Sequence, residues 1–459
     1  MASTYATRTF GTPTSAYKFT ISFWVKRSKL GVSHIAPITA GTYGGGSATN
    51  MGQFLFSGDD TLLCQAYNAA GSPKMLQDTN MKFRDTNAWY HIVLGVDGTL
   101  ATAGDRNKLY VNGVEITDFA DDQNADQNTD LAWNQNGIVC MIGNRANMSY
   151  HFDGYLSHIH FIDGTQYAAS DFGSTDATTG EWKINTSPNV TYGNNGFFIL
   201  KDGNSLTDQS GNGNDFTLGG GTLTKSEDNP SNIFATLNPL KTLGTTSRTI
   251  TNGNTRFNTT TTSWGTMLST LGFSSGKFYC EVRLDTLQSS QGYGALGVTD
   301  ATENYQSNDN ITNQSSFSAG CVTDHRSGQS ACKSAGSTVS SNIGDFATNN
   351  DIVGIAADMD NKALYLHKNG TYLQIGGVTG VPTSGSSKTG AITIPATCET
   401  CMFSISSYTT DCIKSVNFGN GYFGSTQISS AGTNASGIGI FEYDVPAGYT
   451  ALSTKGLNL

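Results

Sequence analysis

His158 and His160 lie two apart in a segment that alternates apolar and polar residues, so both imidazoles project from one face of a strand, with His151 close in sequence. Two imidazoles on one face can begin a metal site, but a third ligand would have to come from elsewhere, and an ordinary sheet face with partly exposed histidines is the simpler reading. Cys398 and Cys401 form a CxxC with no second CxxC or nearby histidine to complete a zinc site, and all eight cysteines are expected as free thiols. Asp208, Ser210, Asn212 and Asp215, in DQSGNGND, bring short oxygen side chains together around glycines, as calcium loops do. The twelfth position of such a loop needs a bidentate Glu and here holds Gly219, which removes an EF-hand. A looser calcium site stays open beside the alternative, an Asn/Gly turn satisfied by its own side chains. A shallow sugar site needs aromatic faces with amide or acid partners, and Trp133, Asn144, Asn147 and Tyr150, between predicted strands, could supply both.

The elements that must position these residues are strands. In FTISFWVK, Phe19, Ile21, Phe23 and Val25 alternate with Thr20, Ser22, Trp24 and Lys26, which predicts a half-buried strand. WYHIVLGVD and YLSHIHFID read likewise. In LYVNGVEI, Asn112-Gly113 tolerates the positive φ values of a type I′ hairpin, and Asn369-Gly370 repeats that logic in KALYLHKNGTYL. KFYCEVRL sets Phe278, Cys280, Val282 and Leu284 against Lys277, Tyr279, Glu281 and Arg283, whereas DIVGIAAD is apolar throughout and should be covered on both faces.

Composition agrees. Gly at 54 is high for 459 residues, and Pro at 9 and charged residues at 14% are low, as expected for many short strands joined by turns. The reading is all-β, two tandem β-sandwiches: residues 1–225, a junction at 226–245 around Pro230 and Pro239, and residues 246–459 ending in a tail from Phe441 that lies along the surface or reaches a partner. A net charge of -10 without a basic cluster disfavours nucleic acid. No run approaches the ~18 apolar residues of a membrane span, and MASTYATRTFG lacks the apolar core of a signal peptide, so the chain is expected to be soluble and made in a cytoplasm without membrane insertion.

FTISFWVK, WYHIVLGVD, the LYVNG hairpin and FDGYLSHIHFIDG resemble the laminin-G-like or concanavalin A-like jelly-roll lectins over roughly residues 15 to 220. Shorter pieces, WVKRSKLG, HFIDG followed by ASDFG, DQSGNGNDFTL and NPSNIFATLNPL, resemble structural or tail-fibre proteins of marine bacteriophages. Residues 270 to 421, from GKFYCEV through DIVGIAAD and the KNG hairpin to VNFG, resemble the SPRY family, with Cys280 where that family usually has Trp. Jelly-roll lectins often hold calcium in rim loops. SPRY domains bind proteins or peptides at variable loops, which singles out the polar stretch 301–350 with Tyr305, Phe317, His325 and Arg326; packing of this stretch on a neighbouring subunit is the even alternative.

The jelly-roll family also includes glycoside hydrolases, which carry E-x-D-x-x-E on one strand; no such triplet occurs, and Glu442-Tyr443-Asp444 lacks the third acid. These resemblances imply a non-enzymatic protein of the phage virion surface, a tail-fibre or receptor-binding subunit for host-surface glycan or protein, held among other virion proteins and homo-oligomeric, with a trimer suiting a fibre. The alternatives are a capsid or tail decoration protein, favoured by the absence of shaft heptads and of an N-terminal adaptor, and a polysaccharide-degrading enzyme.

Overall fold

The computed structural model describes residues 4–44, 47–68, 71–145, 150–287, 294–307, 311–313, 318–323, 330–341, 343–344 and 348–459. The chain forms two compact units, one of residues 1–225 with 229–231 and one of residues 226–228 with 232–459. Both are all-β sandwiches, the fold class expected from the sequence.

In the first unit an antiparallel sheet runs in the order Phe119–Gln123, Pro73–Lys82, Thr61–Tyr67, Ser47–Phe56, Ile35–Gly44, Val139–Ile142, Tyr5–Thr9, Thr217–Gly220. The second sheet runs Phe197–Ile199, Gly154–Asp163, Lys18–Arg27, Tyr90–Asp97, Asn107–Val111, Val114–Glu115. Phe19, Ile21, Phe23 and Val25 point between the sheets, and the Phe23 ring meets Phe54 of the facing sheet edge-on at 5.1 Å. The hairpin at Asn112 and Gly113 has φ of 47° and 81°, the left-handed pair a type I′ turn requires.

One expectation fails here. The strand Lys18–Arg27 is buried on both faces, because residues 165–192 return across the outer side of its sheet and lay Ala169 and Phe172, with Tyr167, Trp182 and Tyr192, over Val93 and Ile162. Such a cover lies far along the chain from the strand it buries, so strand periodicity cannot announce it.

In the second unit the sheets run Leu237–Leu243, Gly265–Ser269, Cys401–Ser407, Gly294–Asp300, Ala319–Thr323, Ala331–Ser334, Ser337–Ser341 and Arg248–Thr251, Arg256–Thr259, Ile413–Asn417, Lys277–Thr286, Ile352–Asp358, Ala363–Lys368, Thr371–Tyr372. Phe278, Cys280, Val282 and Leu284 face the core, with Phe418 among their neighbours. The expected junction is not a linker: Phe234, Ala235 and Leu237 are buried and Leu237–Leu243 pairs with Gly265–Ser269. The stretch 301–350 also extends a sheet, through the strands Ala319–Thr323, Ala331–Ser334 and Ser337–Ser341. Cys398 and Cys401 are joined as a disulfide rather than free, while Cys64, Cys140, Cys280, Cys321, Cys332 and Cys412 are free and buried.

The tail is likewise integral to this unit. Phe441, Val445, Tyr449 and Ala451 pack on Tyr279, Ala356 and Tyr365, and Thr450–Ala451 adds a short parallel pairing to Phe278 and Tyr279. Glu281, fully buried, fixes this cover: its carboxylate accepts from the Glu442 N–H at 2.9 Å, the Tyr443 N–H at 2.8 Å, Tyr279 Oη at 3.1 Å and Asn417 Nδ2 at 3.3 Å. Removing the acceptor strands these donors away from water, at about 1–3 kcal/mol for each left unpaired. Glu281→Ala is therefore expected to destabilise the second unit by at least about 3 kcal/mol and to expose the Phe441–Tyr449 segment to limited proteolysis. Unchanged cleavage kinetics in that segment would refute the clamp.

Candidate functional site

Of the residues expected at a sugar site, Trp133 and Asn144 are buried and cannot meet a ligand at the surface. Trp133 is a core residue: its ring lies 5.2 Å from Phe54 and rests against Gly52, where a Cβ would come within 2.5 Å of the indole. Asn144 is fully buried, its backbone oxygen accepting from Thr39 and its side-chain oxygen from the Arg145 N–H. Tyr150 is partly exposed beside Arg145 and His34. Asn147 lies outside the described residues, as do Phe317, His325 and Arg326; Tyr305 is half-buried, its backbone oxygen accepting from the Gly244 N–H.

The Asp208 loop is occupied by its own hydrogen bonds. Asp208 Oδ1 accepts from the Phe198 and Ser210 N–H groups at 2.8 and 2.9 Å, and Oδ2 from Ser210 Oγ and the Asn214 N–H at 2.7 and 2.9 Å. Asp215 Oδ1 accepts from the Asp208 N–H, and Asn212 spends its amide nitrogen on the Gly193 and Gly196 carbonyls. A carboxylate ringed by N–H and O–H donors is not a calcium ligand, so these residues do not fit the cation, and the self-satisfied turn is the arrangement found. Among the described residues no group of three or more His, Cys, Asp or Glu could hold a metal.

Both histidines of the expected pair approach Phe198, and the Nδ1 of each is engaged by a neighbouring hydroxyl. His158 stands at φ 47° where the strand pairing slips, with Nδ1 2.7 Å from Ser157 Oγ; His160 Nδ1 lies 2.9 Å from Tyr192 Oη. Burial pushes His158 down to about 4 and holds His160 well below the ordinary range.

A contact not foreseen in the sequence has the outline of a nucleophile and base: Ser22 Oγ lies 2.8 Å from His91 Nε2. Its tautomer decides the matter. Trp182 Nε1 can only donate, and it donates to His91 Nδ1 at 3.0 Å, which leaves the ring proton on Nε2, facing Ser22. The imidazole therefore donates to the serine and cannot take its proton. Trp24 and Trp182 stack on the ring from 4.8 and 6.0 Å, and burial pushes His91 down to about 3.

Two open clefts border the cover of the first sandwich. One, of about 640 Å³, is lined by Val190, Thr191, Tyr192, Gly193, Asn194, Ser210 and Asn212. The other, of about 330 Å³, is lined by Leu100, Asp105, Lys108, Tyr110, Gln166, Tyr167 and Ala168. Asp105, the carboxylate of the second cleft, pairs with Lys108 at 3.6 Å, and Lys108 also pairs with Glu115 at 3.0 Å. Neither lining places two carboxyls opposite each other, as glycosidic hydrolysis by an acid and a nucleophile or base requires.

Residues 2–170 match the concanavalin A-like lectin/glucanases superfamily. This match takes in the strands of both sheets of the first sandwich except Phe197–Ile199 and Thr217–Gly220, reaches the Tyr167 end of the cover, and leaves the larger cleft beyond it. No curated protein sequence matches the chain. Among solved structures the chain is similar to the SPRY domain of human HERC1, at 14% identity over 39% of this chain and 96% of that one with a TM-score of 0.30. It is similar to the PSpry domain of TRIM65 at 12% identity, over 40% and 87% with a TM-score of 0.28, and to a heptameric SAP-like pentraxin from Limulus polyphemus at 13%, over 43% and 96% with a TM-score of 0.26. No helix among the described residues is long and apolar enough to cross a membrane.

Two outcomes are expected. A chelator should leave the melting temperature of the first sandwich unchanged, whereas Asp208→Ala should cost about 2–4 kcal/mol by stranding its donors; a calcium-dependent melting temperature lost in that variant would contradict the assignment. The pH response should differ between the sandwiches. His91, His158 and His160 are held neutral in the first, so each withdraws stability as pH falls below the ordinary histidine value of 6.5, by about 2 kcal/mol at pH 5 for His91 and for His158. In the second, His367 acts in the same sense, but burial raises Glu281 to about 7, and a carboxyl with a raised folded value gains stability as pH falls from 7 toward its ordinary 4.5. Hydrogen exchange at pH 7 and 5 should show the first sandwich weakening more; equal weakening would overturn this balance.

Proposed function

We propose that this chain is a non-enzymatic recognition protein of a bacteriophage virion surface, a tail-fibre or receptor-binding subunit that engages glycan or protein on the host cell. The observation that carries the non-enzymatic half is that three buried carboxylates and the Ser22–His91 contact described above are already committed. Asp163, Asp208 and Glu281 each accept from four protein donors, and the Ser22–His91 contact is fixed in the tautomer that cannot activate the serine. Of the two activities in the name of the superfamily matched by residues 2–170, this supports the lectin side. The virion setting rests on the resemblance of WVKRSKLG, HFIDG and DQSGNGNDFTL to phage structural proteins.

Saturable binding of the purified protein to intact host cells, with blocking antibodies that inhibit adsorption of the phage, is the expected result. Release of reducing sugar from host-envelope polysaccharide would overturn the non-enzymatic reading. Absence of cell binding, with the protein located on capsid or tail away from the adsorption apparatus, would replace it with a decoration role.

A further inference from the structure

We infer that the larger cleft of the first sandwich, between Val190–Asn194 and Ser210–Asn212, is a binding site for neutral glycan, taking uncharged hexopyranose units. The inference rests on the recognition reading above and gives it a place and a ligand class.

The first ground is rigidity. The wall at 190–196 is a loop, yet it is tied at several points. Asn212 Nδ2 donates to the Gly193 and Gly196 carbonyls, and Asn214 Nδ2 to those of Asn194 and Gly196 at 2.9 and 2.7 Å. Asn195 donates its N–H to the buried Asp163 carboxylate at 3.0 Å, and Asn194 donates its N–H to Thr14 Oγ1 at 2.8 Å. The opposite wall, at 210–212, is held by Asp208. Walls fixed before the ligand arrives spare the cost of ordering them on binding, which decides affinity at a shallow polar site.

The second ground is the lining. Tyr192 is held by its hydroxyl against His160 Nδ1 and by near-parallel stacking on the His160 ring at 6.2 Å and 20°, so the cleft has a fixed aromatic group. Around it stand the hydroxyl of Thr191 and the side-chain amide oxygens of Asn194 and Asn212, whose amide nitrogens are given to the Thr12, Gly193 and Gly196 carbonyls. One aromatic surface with several neutral donors and acceptors suits a pyranose ring, which is apolar on its C–H face and hydroxylated at its edge.

The third ground is charge. The lining carries no ionisable cation or anion. Arg8, close by in the fold, donates to Asn214 Oδ1 and sits in the field of Asp208 and Asp215. With a chain charge of -10, an acidic polysaccharide would meet repulsion at long range and no cation in this cleft. The smaller cleft differs, since the charged side chains of Lys108 and Asp105 line it.

The test uses the full chain against fragments of glucan, mannan and galactan, with polygalacturonate and dextran sulfate as anionic counterparts, read by calorimetry. Thr191, exposed in the cleft lining, is changed to Trp or Arg to fill the cleft; Leu100→Arg fills the smaller cleft as a control. Binding of at least one neutral polymer, lowered tenfold or more by Thr191→Trp and by Thr191→Arg but not by Leu100→Arg, is expected, with no binding of the anionic polymers. Hydrogen-exchange protection of 190–196 in the unaltered protein, on adding the neutral polymer, reads the same site without relying on a variant that folds. Neutral binding that survives both Thr191 substitutions without protection of 190–196, or preference for the anionic polymers, would overturn the inference while leaving glycan recognition standing. Binding to host cells with no polymer bound would also overturn it and leave the recognition reading; failure of cell binding as well would remove both.

Discussion

The constraint on which both sandwiches depend is that backbone N–H groups of long loops, once buried, must find acceptors. Sheets satisfy their own amides, but this chain lays irregular segments over the outer faces of two sheets, and those segments have no ladder to join. The acceptors supplied are carboxylates. Asp163 takes the N–H groups of Thr14, Ser15 and Asn195 together with Asn134 Nδ2, drawing three separate parts of the chain to one point. Asp208 does the same for the 208–214 turn and the strand Phe197–Ile199, and Glu281 for the C-terminal cover. Asp60 adds a charged version, receiving Arg27 at 3.0 Å and Arg84 at 3.1 Å, while Arg27 also donates to the Phe83 carbonyl and lies over the Phe56 ring. A carboxylate with two oxygens can accept about four hydrogen bonds, and in each of these cases that capacity is used or nearly so.

This explains why the sequence spoke clearly about fold and misleadingly about sites. The hairpins at Asn112-Gly113 and Asn369-Gly370 were legible because a left-handed turn leaves its residue types in two adjacent positions. The core faces of Lys18–Arg27 and Lys277–Thr286 were legible because alternation is local. The covers were not, since Phe172 and Trp182 meet the sheet far from their own place in the chain, and Tyr279 and Glu281, read as an open face, lie beneath Phe441 and Tyr443. Trp133 looked like a surface aromatic for want of any local sign that Gly52 leaves it room in the core.

The short motifs WVKRSKLG, HFIDG and DQSGNGNDFTL take on a physical meaning in the same terms. WVKRSKLG contains Arg27, the partner of Asp60; HFIDG contains Asp163; DQSGNGNDFTL contains Asp208 and the asparagines that bind the 193–196 carbonyls. These are fasteners. A chain that keeps them keeps a particular way of holding loops over a sandwich, and that is a statement about architecture before it is one about any ligand.

The same fasteners limit where a ligand could go. With one broad outer face of each sandwich occupied by the chain itself, and with Ser22 and His91 closed beneath Trp182 of the first cover, what remains open to solvent there is the margin where the cover meets neighbouring turns. At the margin beside Tyr192 the exposed groups are neutral and polar, and the carboxylate that shapes it, Asp208, has turned both its oxygens inward. An acid whose lone pairs are spent on structure cannot also serve a reaction or a cation. Its remaining influence is geometric: it fixes the walls, and the uncharged side chains those walls carry decide what fits between them.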